Sequence, residues 1–154
     1  PRGSGTFLNL TQWDGYSAER SAILDALAAG DVRDTLMVSG DSHVFSAAQV
    51  SPDVDDPRAL ARVVEFGTGS ITSNNADENG YPTDDVTGPF LRSVNPHLRW
   101  CESERHGYVV LDLTPARTAA EFRSPRTIRV ATSAVDVLRR FEVATGSQRL
   151  VRTA

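Results

Sequence analysis

Thr35-Leu-Met-Val-Ser-Gly40 constrains the fold more than any other stretch: its apolar centre is flanked by turn-forming residues and is too short for a helix. Such a run is expected of a β-strand buried on both faces. Upstream, Gly5–Leu10 alternates weakly and reads as a short strand. Ser17 then stands where an N-cap would, before AERSAILDALAAG. Ile23, Leu24 and Leu27 share one helical face, and Gly30 takes the C-cap position. The order is therefore strand, helix, strand, followed at once by Gly40-Asp41-Ser42-His43. In open α/β sheets ligands bind at the carboxyl ends of strands, which is where this tetrapeptide falls.

The remainder reads differently. HVFSAAQV and ALARVVEFGTGSIT contain further strand-like runs, and Ser73–Gly88 is a polar stretch carrying Asp77, Glu78, Asp84 and Asp85, expected as a long loop. HLRWCE, GYVVLDLT, TAAEFR and RRFEVATG then follow as short strands, with turns such as ESERHG and SPRT between them. The expectation is one compact α/β (α+β) unit, mostly antiparallel β, with one helix near the N-terminus. No internal repeat or low-complexity tract interrupts it.

Composition narrows the function classes. With 154 residues the chain suffices for one domain with a real core. Net charge is −4, and every basic residue is Arg. A mildly acidic chain lacks the basic footprint of a general nucleic-acid binder and offers no polybasic patch to anionic lipid. No run approaches the roughly 18 apolar residues of a membrane span, and no basic-then-apolar secretory signal is evident. Cys101 is the single cysteine, so no intrachain disulfide forms, and it reads as a packed thiol beside Trp100.

Asp41 and His43 carry the strongest chemical signal. A carboxylate and an imidazole two residues apart at a strand end suit iron, manganese or zinc. The same pattern also fits an ordinary turn capped by Asp41, with His43 bound to backbone. Asp14, in Gln-Trp-Asp-Gly-Tyr, has the same two readings: an Asx-turn in which Gly15 takes a positive φ, or a third ligand beside Asp41. Gly67-Thr-Gly-Ser-Ile-Thr-Ser73 is rich in small residues whose N–H groups suit a phosphate, but without the lysine and spacing of a P-loop a plain turn is the simpler reading. His97 follows an Asn-Pro turn, and at such a place a histidine is more often structural than catalytic. Neither a Gly-x-Ser-x-Gly elbow nor His-Glu-x-x-His occurs.

In order, QWDGYSAER, MVSGDSHVFSA, VEFGTGSITS and NPHLRW…HGYVVLDLTPARTAAEFR resemble the C-terminal part of alkaline phosphatase D (PhoD)-like metallophosphoesterases, from about Gly5 to Gly146. That family includes secreted phospholipase D enzymes lacking the two-His-Lys motif. The resemblance implies a two-sheet sandwich with metals at the strand ends, and hydrolysis of phosphate mono- or diesters with iron and calcium, or another divalent metal such as zinc or manganese. It carries the Gly-Asp-x-His ligands onto Asp41 and His43, and the Trp-Asp-Gly-Tyr aspartate onto Asp14. His97 would help hold the transferred phosphoryl group. It also implies export from the cytoplasm. The family motifs that supply a cysteine, a bridging aspartate, a tyrosine and an asparagine precede this part of the sequence and have no counterpart in it. Residues 1–154 are therefore expected to be the C-terminal portion of a catalytic domain, completed by its N-terminal portion as partner, with a phosphate ester or phospholipid as substrate. Two alternatives stand beside this reading: a non-catalytic β-rich binding module, and a small enzyme holding one ion at Asp14, Asp41 and His43.

Overall fold

A computed structural model of the chain describes residues 10–53, 56 and 58–154. In chain order the elements are α1 (Ser17–Ala29), β1 (Thr35–Ser39), β2 (Phe45–Val50), β3 (Val63–Gly67), α2 (Asp84–Val94), β4 (Leu98–Glu102), β5 (Tyr108–Leu113), β6 (Arg117–Pro125), β7 (Val135–Ala144) and β8 (Val151–Thr153). The strand expected over Gly5–Leu10 lies outside the described residues except for Leu10, which sits in a turn.

The strands form two four-stranded sheets. The first has the order β1-β3-β2-β4, with β1 parallel to β3 and the other pairs antiparallel. The second, β5-β6-β7-β8, is antiparallel throughout. The expected α+β two-sheet sandwich is what the chain adopts.

Period-two alternation builds the core. On β2, Phe45 and Ala47 face the second sheet, while Ala48 and Val50 face α1. On β6, Ala120 and Phe122 face inward between Glu121 and Arg123. Phe122 is the hub: its ring centroid lies 4.6 Å from Trp100, 5.9 Å from Phe45 and from Phe66, and 6.0 Å from Phe141. These are edge-on contacts, each worth about 0.5–1.5 kcal/mol beyond the area buried. Arg139, facing the same way as Phe141, closes the layer by lying 5.6 Å from the Trp100 ring.

α1 covers the other face of the first sheet, where buried Leu24 packs with Ala48, Val50 and Val63. Its ends correct one expectation and bear out another. Ser17 is the first helical residue rather than the cap; Tyr16 holds the N-cap position and gives no side-chain hydrogen bond. Gly30 is the C-cap, but with φ −80 it is not left-handed. Asp31, at φ 48, makes the reversal: its N–H donates to Ala28, and that of Val32 to Leu27. This is a Schellman motif with aspartate in the place usually given to glycine.

Two further readings are corrected. β1 is not buried on both faces. Among the described residues it is an edge strand, its residues run from half-buried to exposed, and Val38 is 67% exposed. The polar stretch from Ser73 continues as loop and turn only to Thr83, because α2 begins at Asp84 and contains Gly88 and Pro89. Those two residues disfavour a helix interior, which hides α2 from a propensity reading. Tertiary contact holds it: α2 packs along β4, where the Cys101 thiol lies 3.7 Å from the Gly88 carbonyl and 3.8 Å from the Arg92 guanidinium.

Candidate metal centre

Parallel pairing of β1 with β3 sets the carboxyl ends of both strands side by side, and Thr68 N–H donates to the Ser39 carbonyl across the gap at 2.9 Å. Gly40-Asp-Ser-His43 leaves the first strand there and Thr68-Gly-Ser-Ile-Thr-Ser73 leaves the second. The last residue of β3 is glycine because a Cβ there would lie 2.3 Å from the hydroxyl of Ser46, its partner on β2.

The turn after β1 is strained. Asp41 has φ 66 and His43 has φ 56, two non-glycine residues in the left-handed region within three positions. Ser42 N–H donates to the Gly40 carbonyl at 2.7 Å, closing a γ-turn about Asp41. Left-handed conformations cost L-residues roughly 1–2 kcal/mol each, although aspartate and histidine tolerate them better than most. Backbone strain of this kind gathers at functional sites. His43 Nδ1 lies 2.6 Å from the Asn74 carbonyl. A carbonyl only accepts, so Nδ1 carries the proton and Nε2 keeps its lone pair in the neutral ring. That is the state in which imidazole binds a metal.

On the α1 face of the first sheet a groove of about 780 Å³ runs between the two helices. Asp14, Gly40, Asp41, Ser42, His97 and Cys101 are among its lining residues. Met37, Val50 and Glu65 belong to its floor, Glu65 accepting from Ser39 Oγ at 2.6 Å. Asp14 and Asp41 thus both line the groove, whereas His43 is not among its lining residues and turns toward the Asn74 loop. Among the described residues, no three metal-ligating side chains come together. Gly15, expected at positive φ, is required for another reason: a Cβ would collide with the Leu10 carbonyl.

A sequence profile of PhoD-like phosphatases matches residues 2–122. The chain belongs to the PhoD-like phosphatase family. It is 28% identical over 117 residues to alkaline phosphatase D of Bacillus subtilis (strain 168), an alignment covering 75% of this chain and 19% of that protein. A solved structure of PhoD matches the fold with a TM-score of 0.78 at 23% identity, over 93% of this chain and 26% of that one. The chain thus spans about a fifth of the length of its curated PhoD-like relative and about a quarter of the solved PhoD chain.

Within this PhoD-like fold the sequence reading missed one group of residues. Ser70 Oγ lies 3.0 Å from His106 Nδ1, and His106 Nε2 lies 3.1 Å from Glu78 Oε2. Ser70 and His106 are both buried. The only sequence signal was the small-residue loop itself. Gly69 is set against the Phe45 ring, where a Cβ would approach to 3.1 Å, and that packing fixes the start of the segment carrying Ser70.

Proposed function

We propose that this chain supplies part of a metal site that hydrolyses phosphate mono- or diesters, with Asp41 and His43 as metal donors and Asp14 as a further carboxylate on the same groove. The observation that carries the proposal is the pairing of a strained Asp41–His43 turn with a backbone carbonyl acceptor at His43 Nδ1, which in the neutral ring turns the Nε2 lone pair outward. Hard carboxylate and neutral imidazole donors fit iron with calcium, or zinc or manganese in place of either. When bound, such ions polarise a phosphoryl oxygen and acidify a water molecule.

The chain's own residues have defined tasks. Asp41 presents an anionic donor from the γ-turn, and His43 a neutral donor whose ring is oriented by Asn74. Asp14 adds a further carboxylate to the groove lining, and His97, which also lines it, would meet a phosphate-ester oxygen. Among the described residues β1 has no strand on its outer side, and Trp13, Tyr16 and Val38 are exposed, which supports completion by the N-terminal portion of the same protein. Parallel strands are normally covered on both sides, and an uncovered parallel edge asks for a neighbour. Residues 1–154 are, on this reading, the C-terminal portion of a longer catalytic domain. Among the described residues no helix is long and apolar enough to cross a membrane. We place the protein outside the cytoplasm, with a phosphate ester or phospholipid as substrate.

The test is intact mass and metal content of the purified protein under native and denaturing conditions, with hydrolysis of p-nitrophenyl phosphate and bis-p-nitrophenyl phosphate measured in parallel. A larger second polypeptide or a continuous longer chain, with metal bound and lost in Asp41→Ala and His43→Ala, is the expected result. A folded, metal-free chain of this length acting on neither ester would overturn the proposal in favour of a non-catalytic binding module.

A further inference from the structure

Behind the His43 turn lies a chain of hydrogen bonds that ordinary loop closure does not require. Asn75, Ser70 and His106 are polar side chains at 2%, 8% and 9% exposure, and buried polar groups are kept only when fully partnered. Starting at the sheet, Ser70 Oγ meets His106 Nδ1 at 3.0 Å, and the His106 Nε2–H points at Glu78 Oε2 at 3.1 Å. The same carboxylate oxygen accepts the Asn75 N–H at 3.1 Å, while Asn75 Oδ1 accepts the Glu78 N–H at 3.0 Å. That reciprocal pair is a capping box, here placed on a single helical turn. Gly80, at φ +80, ends the turn: its N–H donates to Asp77, and that of Tyr81 to Ala76. Asn75 Nδ2 also donates to the Glu104 carbonyl, tying the turn to the connector that holds His106.

The residue just before this capped turn is Asn74, whose carbonyl accepts from His43 Nδ1. We propose that the Ser70–His106–Glu78–Asn75 chain is a positioning device for His43. It fixes the Asn74 carbonyl, the carbonyl fixes the imidazole tautomer, and Nε2 is thereby presented unprotonated to a metal. The inference rests on the reading of His43 as a metal donor. On this proposal its members are positioning residues that act through the Asn74 carbonyl. Partners of this kind, one step removed from the ligand, typically change metal affinity 10–100-fold when deleted.

The experiment reads the tautomer directly. The sequence holds 3 histidines, so long-range ¹H–¹⁵N correlation spectra of the intact, metal-free protein at neutral pH are assignable with single His→Ala variants. In the wild type, His43 should show one tautomer, protonated at Nδ1. In Glu78→Ala the His43 signals should move to an averaged position, and the dissociation constant for Zn²⁺ should rise about 10-fold. Glu78→Gln keeps an acceptor for both Asn75 and His106 and should restore both readouts. The proposal is overturned if wild-type His43 carries its proton on Nε2. It is equally overturned if folded Glu78→Ala keeps the wild-type tautomer and Zn²⁺ affinity. Should Glu78→Ala not fold, Ser70→Ala, which leaves the capping pair in place and releases the far end of the chain, is judged by the same two outcomes. If His43→Ala leaves Zn²⁺ affinity unchanged while the tautomer still responds to Glu78→Ala, the metal reading of His43 fails and the coupling to Asn74 stands.

Discussion

The two sheets solve different problems. The β5–β8 sheet is an antiparallel meander whose inner face carries the aromatic core and whose outer face carries cross-strand ion pairs, such as Arg140–Glu121 at 2.9 Å. The β1–β4 sheet has a parallel pair at one side, a strand that is at the edge among the described residues, and two left-handed residues in the turn that leaves it. Positive-φ residues occur in both regions, Gln148 before β8 among them, but the turn that leaves β1 holds two within three positions, Asp41 and His43. That turn is the Gly-Asp-x-His stretch proposed above to supply metal donors. Backbone strain of this kind gathers at functional sites.

The sharpest way to break this division is to remove the feature both sheets share. Phe122 contacts aromatic rings from both sheets, and Phe122→Ala should destabilise the fold by about 3–5 kcal/mol. Urea denaturation followed by tryptophan fluorescence checks this. Trp100, 4.6 Å from Phe122, reports the sandwich. A loss under 1 kcal/mol would mean that the sandwich is not held at Phe122.

The next effect should fall on the other side of the comparison. His43→Ala should weaken metal binding by at least the roughly 100-fold that deletion of an outer partner can cost, since it removes a donor itself. Stability should change by less than about 1 kcal/mol, because the ring lies outside both core clusters. Metal titration and urea denaturation of one sample separate the two. A large loss of stability with metal binding intact would reverse the roles given to this corner.

How much of this was legible beforehand depends on the distance along the chain over which each feature is encoded. β2, β4, β5 and β6 were legible because alternation is written in neighbouring residues. α2 was not, since Gly88 and Pro89 argue locally against a helix that packing on β4 sustains. The exposure of β1 was hidden because an apolar run does not reveal how many strands flank it. In the candidate site, Asp41 and His43 were visible as a pair two positions apart. The bonds that orient the ring were not: His43 to Asn74 spans 31 positions, Ser70 to His106 spans 36, and His106 to Glu78 spans 28. No periodicity connects such residues. Asp14 and Asp41 both line the groove, whereas the third member, His43, is not among its lining residues and faces the neighbouring loop.

Strain offers a finer test of the same corner. If the left-handed γ-turn about Asp41 persists for the sake of the carboxylate, Asp41→Gly and Asp41→Ala should lose metal binding equally and differ in stability. Glycine adopts φ 66 freely and alanine does not, so the glycine variant should be more stable by about 1 kcal/mol. Equal stabilities would show that the turn opens when the carboxylate is removed.

The smallest expected effect belongs to the β5–β8 sheet and is read by acid. The Glu121 carboxyl is held below its ordinary range by hydrogen bonds from Arg140 and then Arg123, and that of Asp136 by the Arg126 guanidinium. A carboxylate whose pKa is lower folded than unfolded adds stability above its unfolded value, roughly 3.9–4.3, and loses it as pH falls through the folded value. Asp31–Arg33 and Asp56–Arg58 are also depressed, but those partners stand two positions apart and can meet in the unfolded chain as well. Arg126–Asp136 and Arg140–Glu121 span 10 and 19 positions, so folding is what brings them together. The acid limb of stability should therefore track the meander, while the pairs near α1 and β3 leave it unchanged. Arg126→Gln with Arg140→Gln should flatten the decline of the urea midpoint below about pH 4.5. Arg33→Gln with Arg58→Gln should leave that decline as it is. If the second pair of substitutions flattened it instead, the charge order assigned to the two regions would be inverted.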